Sequence, residues 1–320
     1  MNKFLVDGFN LAYRAAFVNK ELTGPKGIPS GVIYGFMRTL MPLKKRFATE
    51  KFEIAWDRLG GNWRSGINPE YKAGRTRSVD IYPQLEDLKD LLAALGVDQH
   101  QQPGAEADDI IAHLSHRYKE DGIVYIYSND KDFFQLVENG KVVVVKPKIG
   151  FSPEKLYDES MIFDRFGVCP KDLAAFRAFD GDKSDNLNGV PRLPKKVIAR
   201  LVNKYGSVQS IYDDLDKEKL TDFQKKGILD HKNSVISNDK IMRLDGVLDS
   251  LDSRRVSTEA ESEEEKESRI AKASEILLKY GVSSMSVDPA EVLELFSRVS
   301  DVRYSDPQAA TIETFNIFED

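Results

Sequence analysis

Three short apolar runs in this chain, Lys3-Phe4-Leu5-Val6, Phe52-Glu53-Ile54-Ala55-Trp56 and Ile123-Val124-Tyr125-Ile126-Tyr127, are each followed at once or within three residues by an aspartate: Asp7, Asp57 and Asp130. A single aspartate there is an ordinary turn or N-cap residue. Three in register exceed what turns need, because an open parallel sheet binds its ligands beyond the carboxyl ends of its strands. Further acids accompany them. Glu106, Asp108 and Asp109 open a helical pattern, Asp132 lies two residues past Asp130, and the loop Asp180-Gly181-Asp182-Lys183-Ser184-Asp185-Asn186 adds Asp182 and Asp185. The helix dipole favours an acid in a first turn, but not a run of three. Nine carboxylates at close range repel one another unless cations are supplied. Histidine and cysteine are absent from all of these segments, which favours Mg²⁺ or Mn²⁺ over zinc. A carboxylate-held metal pair suits phosphodiester cleavage: two ions ~4 Å apart activate a water, align it and stabilise the departing oxygen.

The elements that must position these acids alternate through the first 150 residues. The three runs above and Val142 to Val145 read as buried strands, and 31–47, 83–95 and 107–119 carry apolar residues at helical spacing. Such alternation specifies an α/β fold, a mostly parallel sheet covered on both faces. The pattern fails between 58 and 80, where Arg58, Arg64, Lys72, Arg75 and Arg77 face Glu70 alone before Asp80, with Trp63 and Tyr71 interleaved. A loop this long inside a compact domain is functional or disordered, and a basic one beside an acidic site would supply charge to the transition state of phosphate chemistry. A haloacid-dehalogenase-type phosphatase is excluded, since it needs a second aspartate where Phe9 stands. From about 160 the pattern is all-helical, with segments near 171–179, 195–205, 208–214 and 221–230. The acidic run Glu259 to Glu267 starts a helix reaching about Tyr280, and the last fifteen or so residues look weakly structured.

Composition sharpens this reading. The 320 residues carry 46 Lys+Arg and 52 Asp+Glu, a net charge of -6 that argues at first against nucleic acid. Residues 245–320 hold 18 acidic and 8 basic side chains, which leaves 34 acidic and 38 basic in the first 244. Setting the nine clustered carboxylates aside makes those 244 residues plainly basic. A single cysteine, Cys169, excludes a disulfide scaffold and a multi-cysteine zinc site. Neither a signal-peptide run at the start nor a stretch of ~18 apolar residues is present, so the expectation is a cytoplasmic protein, or host-cytoplasmic if viral, with no membrane partner.

The segments Val6-Asp7-Gly8-Phe9-Asn10-Leu11-Ala12-Tyr13-Arg14, Trp56-Asp57, Tyr71-Lys72-Ala73-Gly74-Arg75, Glu106-Ala107-Asp108-Asp109-Ile110-Ile111-Ala112, Ser128-Asn129-Asp130-Lys131-Asp132-Phe133-Phe134-Gln135-Leu136 and Gly181-Asp182-Lys183-Ser184-Asp185-Asn186-Leu187-Asn188-Gly189-Val190-Pro191 resemble, in this order, the 5′-nuclease or flap endonuclease family, and most closely its phage and bacterial 5′→3′ exonucleases. The resemblance implies a PIN-like nuclease domain over 1–165 with a helical arch at about 58–80. It also implies a helix-three-turn-helix DNA-binding region over 166–250, with 251–320 left as an acidic helical segment and tail. Asp7, Asp57, Glu106, Asp108, Asp109, Asp130, Asp132, Asp182 and Asp185 then hold two or more Mg²⁺ or Mn²⁺ ions. Lys72 and Arg75 contact the scissile phosphate as catalytic residues, Tyr71 stacks on a displaced base, and Arg14 lies near the phosphate. The implied activity is hydrolysis of DNA at 5′ ends or flaps, extending to RNA primers in RNA-DNA hybrids, giving 5′-phosphate and 3′-hydroxyl. With no polymerase-sized segment in the chain, it reads as a separate, monomeric replication or repair factor. The alternative is a structure-specific DNA-binding protein with weak or lost catalysis, against which the complete acidic set argues.

One departure stands out. Where the family continues with a Gly-x-Gly hairpin able to hold a phosphate and a monovalent cation, this chain reads Arg192-Leu193-Pro194-Lys195-Lys196. Arg192 carries a Cβ and Pro194 lacks an N-H, which puts the monovalent cation site in question. Pro194 is suited to be the first residue of the next helix. Arg192, Lys195 and Lys196 would replace amide contacts to DNA by charge contacts, with a stronger salt dependence. His113 and His116 read as ordinary helix residues, Cys169 as a small buried one. The aromatic and acidic tail Ile312 to Asp320 is a candidate docking segment for a replication protein.

Overall fold

The computed structural model describes residues 2–47, 51–58, 62–74, 79–148, 154–246, 248, 251–254, 262–282, 292 and 295–296. Its strands are β1 (Lys3–Asp7), β2 (Lys51–Ala55), β3 (Asp98–Gln101), β4 (Val124–Tyr127), β5 (Val142–Lys146), β6 (Lys155–Tyr157), β7 (Gly181–Asp182), β8 (Leu187–Asn188) and β9 (Asp252–Arg254). Seven of them form one sheet in the order β6-β5-β4-β1-β2-β3-β9, parallel except for β6 and β9 at its two edges. β7 and β8 make a separate small hairpin.

The helices are α1 (Gly8–Val18), α2 (Gly31–Phe47), α3 (Trp63–Ile67), α4 (Tyr82–Ala94), α5 (Ala107–Tyr118), α6 (Glu159–Phe166), α7 (Leu173–Asp180), α8 (Lys195–Tyr205), α9 (Val208–Asp213), α10 (Asp222–Asp230), α11 (Lys232–Met242) and α12 (Glu263–Lys279). Successive strand residues face opposite sides of the sheet, and the core divides accordingly. Phe4 and Val6 pack with residues of α1, α2, α4 and α12, whereas Leu5 packs with α5 and the helices from α6 to α11. The mostly parallel sheet covered on both faces, with a helical region after it, is the expected α/β fold.

The four strands expected from apolar runs are β1, β2, β4 and β5. β3 was not expected, because Asp98-Gln99-His100-Gln101 is polar throughout. Asp98, Gln99 and His100 are buried nevertheless, the last two against polar partners. Gln99 accepts from Trp56 Nε1 at 3.0 Å and donates to the Lys89 carbonyl at 2.8 Å, and His100 meets Glu53 at 2.8 Å. Satisfied hydrogen bonds are what allow polar groups into a core.

The C-terminal part joins this body. β9 pairs with β3, and α12 lies against α4, where Lys272 meets Asp90 at 2.8 Å and the Tyr280 hydroxyl donates to Asp87 at 2.6 Å. α12 starts with a capping box between Ser262 and Glu265. The expected helix start at Glu259 and the tail Ile312 to Asp320 lie outside the described residues. Among the described residues no helix is long and apolar enough to cross a membrane. Cys169 is exposed rather than buried.

Candidate active site

The passage from β1 into α1 takes no loop at all, which fixes Asp7. Its carboxylate caps α1, accepting from the Asn10 N-H at 3.0 Å, and accepts from the Ser128 hydroxyl at 3.1 Å. Gly8 makes this possible: a Cβ there would lie 2.5 Å from the Trp56 ring. Beyond β4, the Ser128 hydroxyl also accepts from the Asp130 N-H at 3.1 Å, and Asp130 accepts from the Asp132 N-H at 2.9 Å. Beyond β2, Asp57 accepts from the Ala107 N-H at 2.7 Å and so anchors the start of α5. β1 lies between β2 and β4 in the sheet, so these three aspartates arrive at one edge.

Electrostatics ties Asp108 to the same group. Burial, with the charges of Asp57 and Asp130, pushes the Asp7 carboxyl up to about 7. Burial again, then Asp130 and Asp7, raises Asp108 well above the usual carboxylate range. Asp7, Asp57, Asp108 and Asp130 therefore form one mutually repelling set.

Of the other acids, Glu106, Asp109, Asp132 and Asp182 are held by cations. Glu106 caps α5 in a reciprocal box with Asp109. It accepts from Asn62 at 2.8 Å, from the Tyr71 hydroxyl at 3.0 Å, and from Lys72 Nζ at 3.0 Å to each oxygen. Burial disfavours the Lys72 ammonium, but Glu106, Asp108 and Asp185 outweigh it and raise its pKa. Lys72 has φ +55°, and its N-H donates to the Asp185 carbonyl at 3.0 Å, which ties this basic stretch to the loop carrying Asp182 and Asp185. Asp109 is bound in a fork by Arg64, both N···O distances being 2.7 Å. Asp132 and Asp182 share Arg177, and Asp182 also accepts from the Ser184 N-H at 2.8 Å and meets Lys131 at 3.2 Å.

Eight of the nine acids thus fall into three sets, Asp7 with Asp57, Asp108 and Asp130, Glu106 with Asp109, and Asp132 with Asp182, while Asp185 is tied in through its carbonyl. Among the described residues no three His, Cys, Asp or Glu side chains are gathered tightly enough to hold an ion. Their chemistry nevertheless fits a hard divalent cation, because the donors are all oxygens and the raised Asp7 and Asp108 carboxyls mark charge repulsion that such a cation would relieve.

Tyr71 corrects an expectation. A ring meant to stack on a displaced base is instead 7% exposed, packed among Leu187, Ile241 and Met242 with its hydroxyl on Glu106. Arg14 donates to the Lys148 carbonyl, and Arg75 lies outside the described residues. Arg192, Lys195 and Lys196 are exposed at the start of α8, where Lys195 meets Asp180 at 2.8 Å. Arg192 has φ +60°, so the chain keeps a glycine-like conformation there despite the Cβ. Pro194 is the N-cap of α8, one position before the helix begins, and contributes no side-chain cap.

Arg64 and Arg177 were not singled out for a role in this site. Arg64 was one cation among five in a basic loop. Arg177 had a readable signal: it is the one charged side chain among Leu173, Ala174, Ala175, Phe176, Ala178 and Phe179, a helix that is otherwise apolar to its last residue. A lone buried charge demands a partner, and Asp132 and Asp182 are that partner.

The family model of the 5′-3′ exonuclease N-terminal resolvase-like domain matches residues 2–167. A 5′-3′ exonuclease from Aquifex aeolicus is 32% identical over 216 residues, 67% of this chain and 73% of that protein. The thermostable DNA polymerase I of Thermus thermophilus is 33% identical over 224 residues, 69% of this chain but 26% of the polymerase. Against the polymerase, then, the chain spans about a quarter of its relative's length. Among solved structures, the flap endonuclease of bacteriophage T5 in a pseudo-enzyme-product complex with DNA and metal ions superimposes with a TM-score of 0.62 at 19% identity, covering 92% of this chain and 100% of that one. At that identity the likeness speaks for the fold.

Proposed function

This chain belongs to the 5′-3′ exonuclease family, and from that premise we propose that it is a metal-dependent 5′-nuclease acting on DNA ends and flaps by a two-metal mechanism, with 5′-phosphate and 3′-hydroxyl products. The observation that carries the reading is the meeting of Asp7, Asp57 and Asp130 beyond adjacent parallel strands with Asp108 on the first turn of α5, where burial and the neighbouring charges raise the Asp7 and Asp108 carboxyls.

Asp7, Asp57, Asp108 and Asp130, with Glu106 beside them, are the residues that would hold Mg²⁺ or Mn²⁺, and Asp132, Asp182 and Asp185 extend the acidic surface. When bound, the ions supply a hydroxide nucleophile and offset charge on the leaving oxygen. The remaining work belongs to side chains of this chain. Lys72, already held among carboxylates by Glu106, stabilises the developing negative charge of the phosphate, with Arg75 as its proposed neighbour. Arg14, on the helix that Asp7 caps, orients the phosphate. Arg192, Lys195 and Lys196 hold the duplex by its backbone, charge against charge. In this reading the helices from α7 to α11 are the duplex-gripping region, and RNA in a hybrid strand is accepted because the contacts are to phosphate. The protein acts in replication or repair.

The test is product mapping on matched 5′-flap, nicked and RNA·DNA duplexes labelled at either end. Cleavage that depends on added Mg²⁺ and leaves a 5′-phosphate supports the proposal. The same products in EDTA, or cleavage confined to 3′ ends, would sink it.

A further inference from the structure

Resting on the nuclease reading above, we propose that Arg64 and Asp109 form a latch that fixes the root of the basic segment against the metal-binding helix, and that Asp109 serves as the anchor of this latch and not as a metal ligand. Arg64 sits on α3 and is 2% exposed. Its guanidinium reaches two other helices at once. Two N-H groups grip the Asp109 oxygens on α5 at 2.7 Å each, while Nε donates to the Ile241 carbonyl at 2.9 Å in the last turn of α11. The Trp63 ring lies 4.5 Å from the same guanidinium, and its Nε1 donates to Asp109 at 3.4 Å.

The donors on Asp109 point to an anchoring role. An ionised carboxylate offers about four lone-pair sites, two on each oxygen. In Asp109 one oxygen takes Arg64, while the other takes Arg64, Trp63 and the Glu106 N-H at 3.0 Å. The second oxygen is thereby filled, and the first keeps one site beside a buried guanidinium whose positive charge opposes an ion there. Its neighbour Asp108, one residue earlier on the first turn of α5, faces Asp130 and Asp7 instead. Two adjacent aspartates thus divide the work, one for the ion and one for the latch.

The latch matters to chemistry through Lys72. α3 and the turn that follows it lead directly to Tyr71 and Lys72, whose side chains rest on Glu106, itself 3.5 Å from Arg64. Arg64 is therefore a positioning residue: it sets where Lys72 stands relative to α5. Lysine in its place keeps the charge and cannot span both Asp109 oxygens and the Ile241 carbonyl together.

The experiment uses the full chain and three readouts: Mn²⁺ titration without DNA, amide exchange over residues 62–74, and steady-state cleavage of a labelled 5′ flap. Arg64→Met is expected to lower kcat by roughly 10²-fold with little change in KM, as a ~1 Å misplacement does. It should also speed exchange over 62–74 and leave Mn²⁺ stoichiometry intact. Arg64→Lys should recover part of kcat. Asp109→Asn should match Arg64→Met, the double variant being no worse than either alone, while Asp130→Asn should lose Mn²⁺. Should Asp109→Asn not fold, Asp109→Glu takes its place, with kcat lowered and stoichiometry kept. Loss of an Mn²⁺ site in the Asp109 variants, wild-type kcat in Arg64→Met, or multiplying defects in the double variant would overturn the latch. If the wild-type protein cleaves nothing, the nuclease reading fails, while exchange and Mn²⁺ stoichiometry still decide the latch.

Discussion

Lys72 Nζ stands 3.0 Å from both carboxylate oxygens of Glu106, thirty-four residues further along the chain. A lysine therefore occupies the acceptor sites of a carboxylate that the proposed mechanism gives to a metal ion. Two cations in competition for one carboxylate imply a definite sign. Lys72→Met should tighten Mn²⁺ binding to the DNA-free protein while slowing flap cleavage, since it removes both a competitor and a phosphate contact. Calorimetric Mn²⁺ titration checks the first effect. Weaker binding in the variant would mean that Lys72 organises Glu106 for the metal instead of competing for it.

Gly8 fixes Asp7 by what it lacks. A Cβ would meet three atoms of the Trp56 ring at 2.5 to 2.8 Å, in a core where Trp56 is 2% exposed. Overpacking of this kind costs about 1–3 kcal/mol. Gly8→Ala should lower the denaturation midpoint accordingly and reduce metal affinity by shifting Asp7. An unchanged midpoint in a urea melt would show that the Trp56 ring can yield.

At Arg192 conformation and charge pull in opposite directions. A side chain at φ +60° costs about 1 kcal/mol relative to glycine. Arg192→Gly should therefore raise the melting temperature slightly. Duplex binding should weaken, with a salt slope smaller by about one phosphate contact. A variant with wild-type duplex affinity and slope would remove Arg192 from the DNA contacts.

Glu218 gives the helical part an acid-sensitive joint. Hydrogen bonds from Lys204, Tyr205 and Arg200 pull its carboxyl down to about 2. Because the folded value lies below the ordinary 4.5, its stabilising contribution is complete above that value and is lost as pH falls from there toward 2. Glu218→Gln should flatten the decline of stability over this interval, and less so at high salt because Arg200 and Lys204 are about half exposed. Identical acid-unfolding curves for the two proteins would contradict this.

How much of the molecule was legible depended on burial chemistry. Central parallel strands such as Val124-Tyr125-Ile126-Tyr127 are covered on both faces and read as continuous apolar runs. The acids after them were legible as well, because their number exceeded what turns and caps need. β3 was hidden because its burial rests on paired polar groups, with Gln99 bonded to Trp56 and His100 to Glu53, which no hydropathy pattern registers. α3 is five residues long and contains Gly66, too short for a helical period to show. The partners of Arg64 lie 45 and 177 residues away, so its role could emerge only once the chain was folded. Tyr71 was misread for a related reason: an aromatic in a basic loop suggests a stacking surface, whereas packing against Ile241 and Met242 turned it inward.

The central claim is that the carboxylate set beyond β1, β2 and β4 performs metal-dependent hydrolysis of DNA at 5′ ends. Single-turnover cleavage of a labelled 5′-flap duplex by wild-type protein and by Asp130→Asn, with binding of the same duplex measured in EDTA, tests it most directly. The account predicts Mg²⁺-dependent product from the wild type and a loss of roughly 10²-fold or more in Asp130→Asn, the scale expected when a group that stabilises the transition state is removed. Binding by the variant should be equal or tighter, because one charge that repels phosphate is gone. Wild-type cleavage rates in Asp130→Asn, or cleavage indifferent to EDTA, would contradict it.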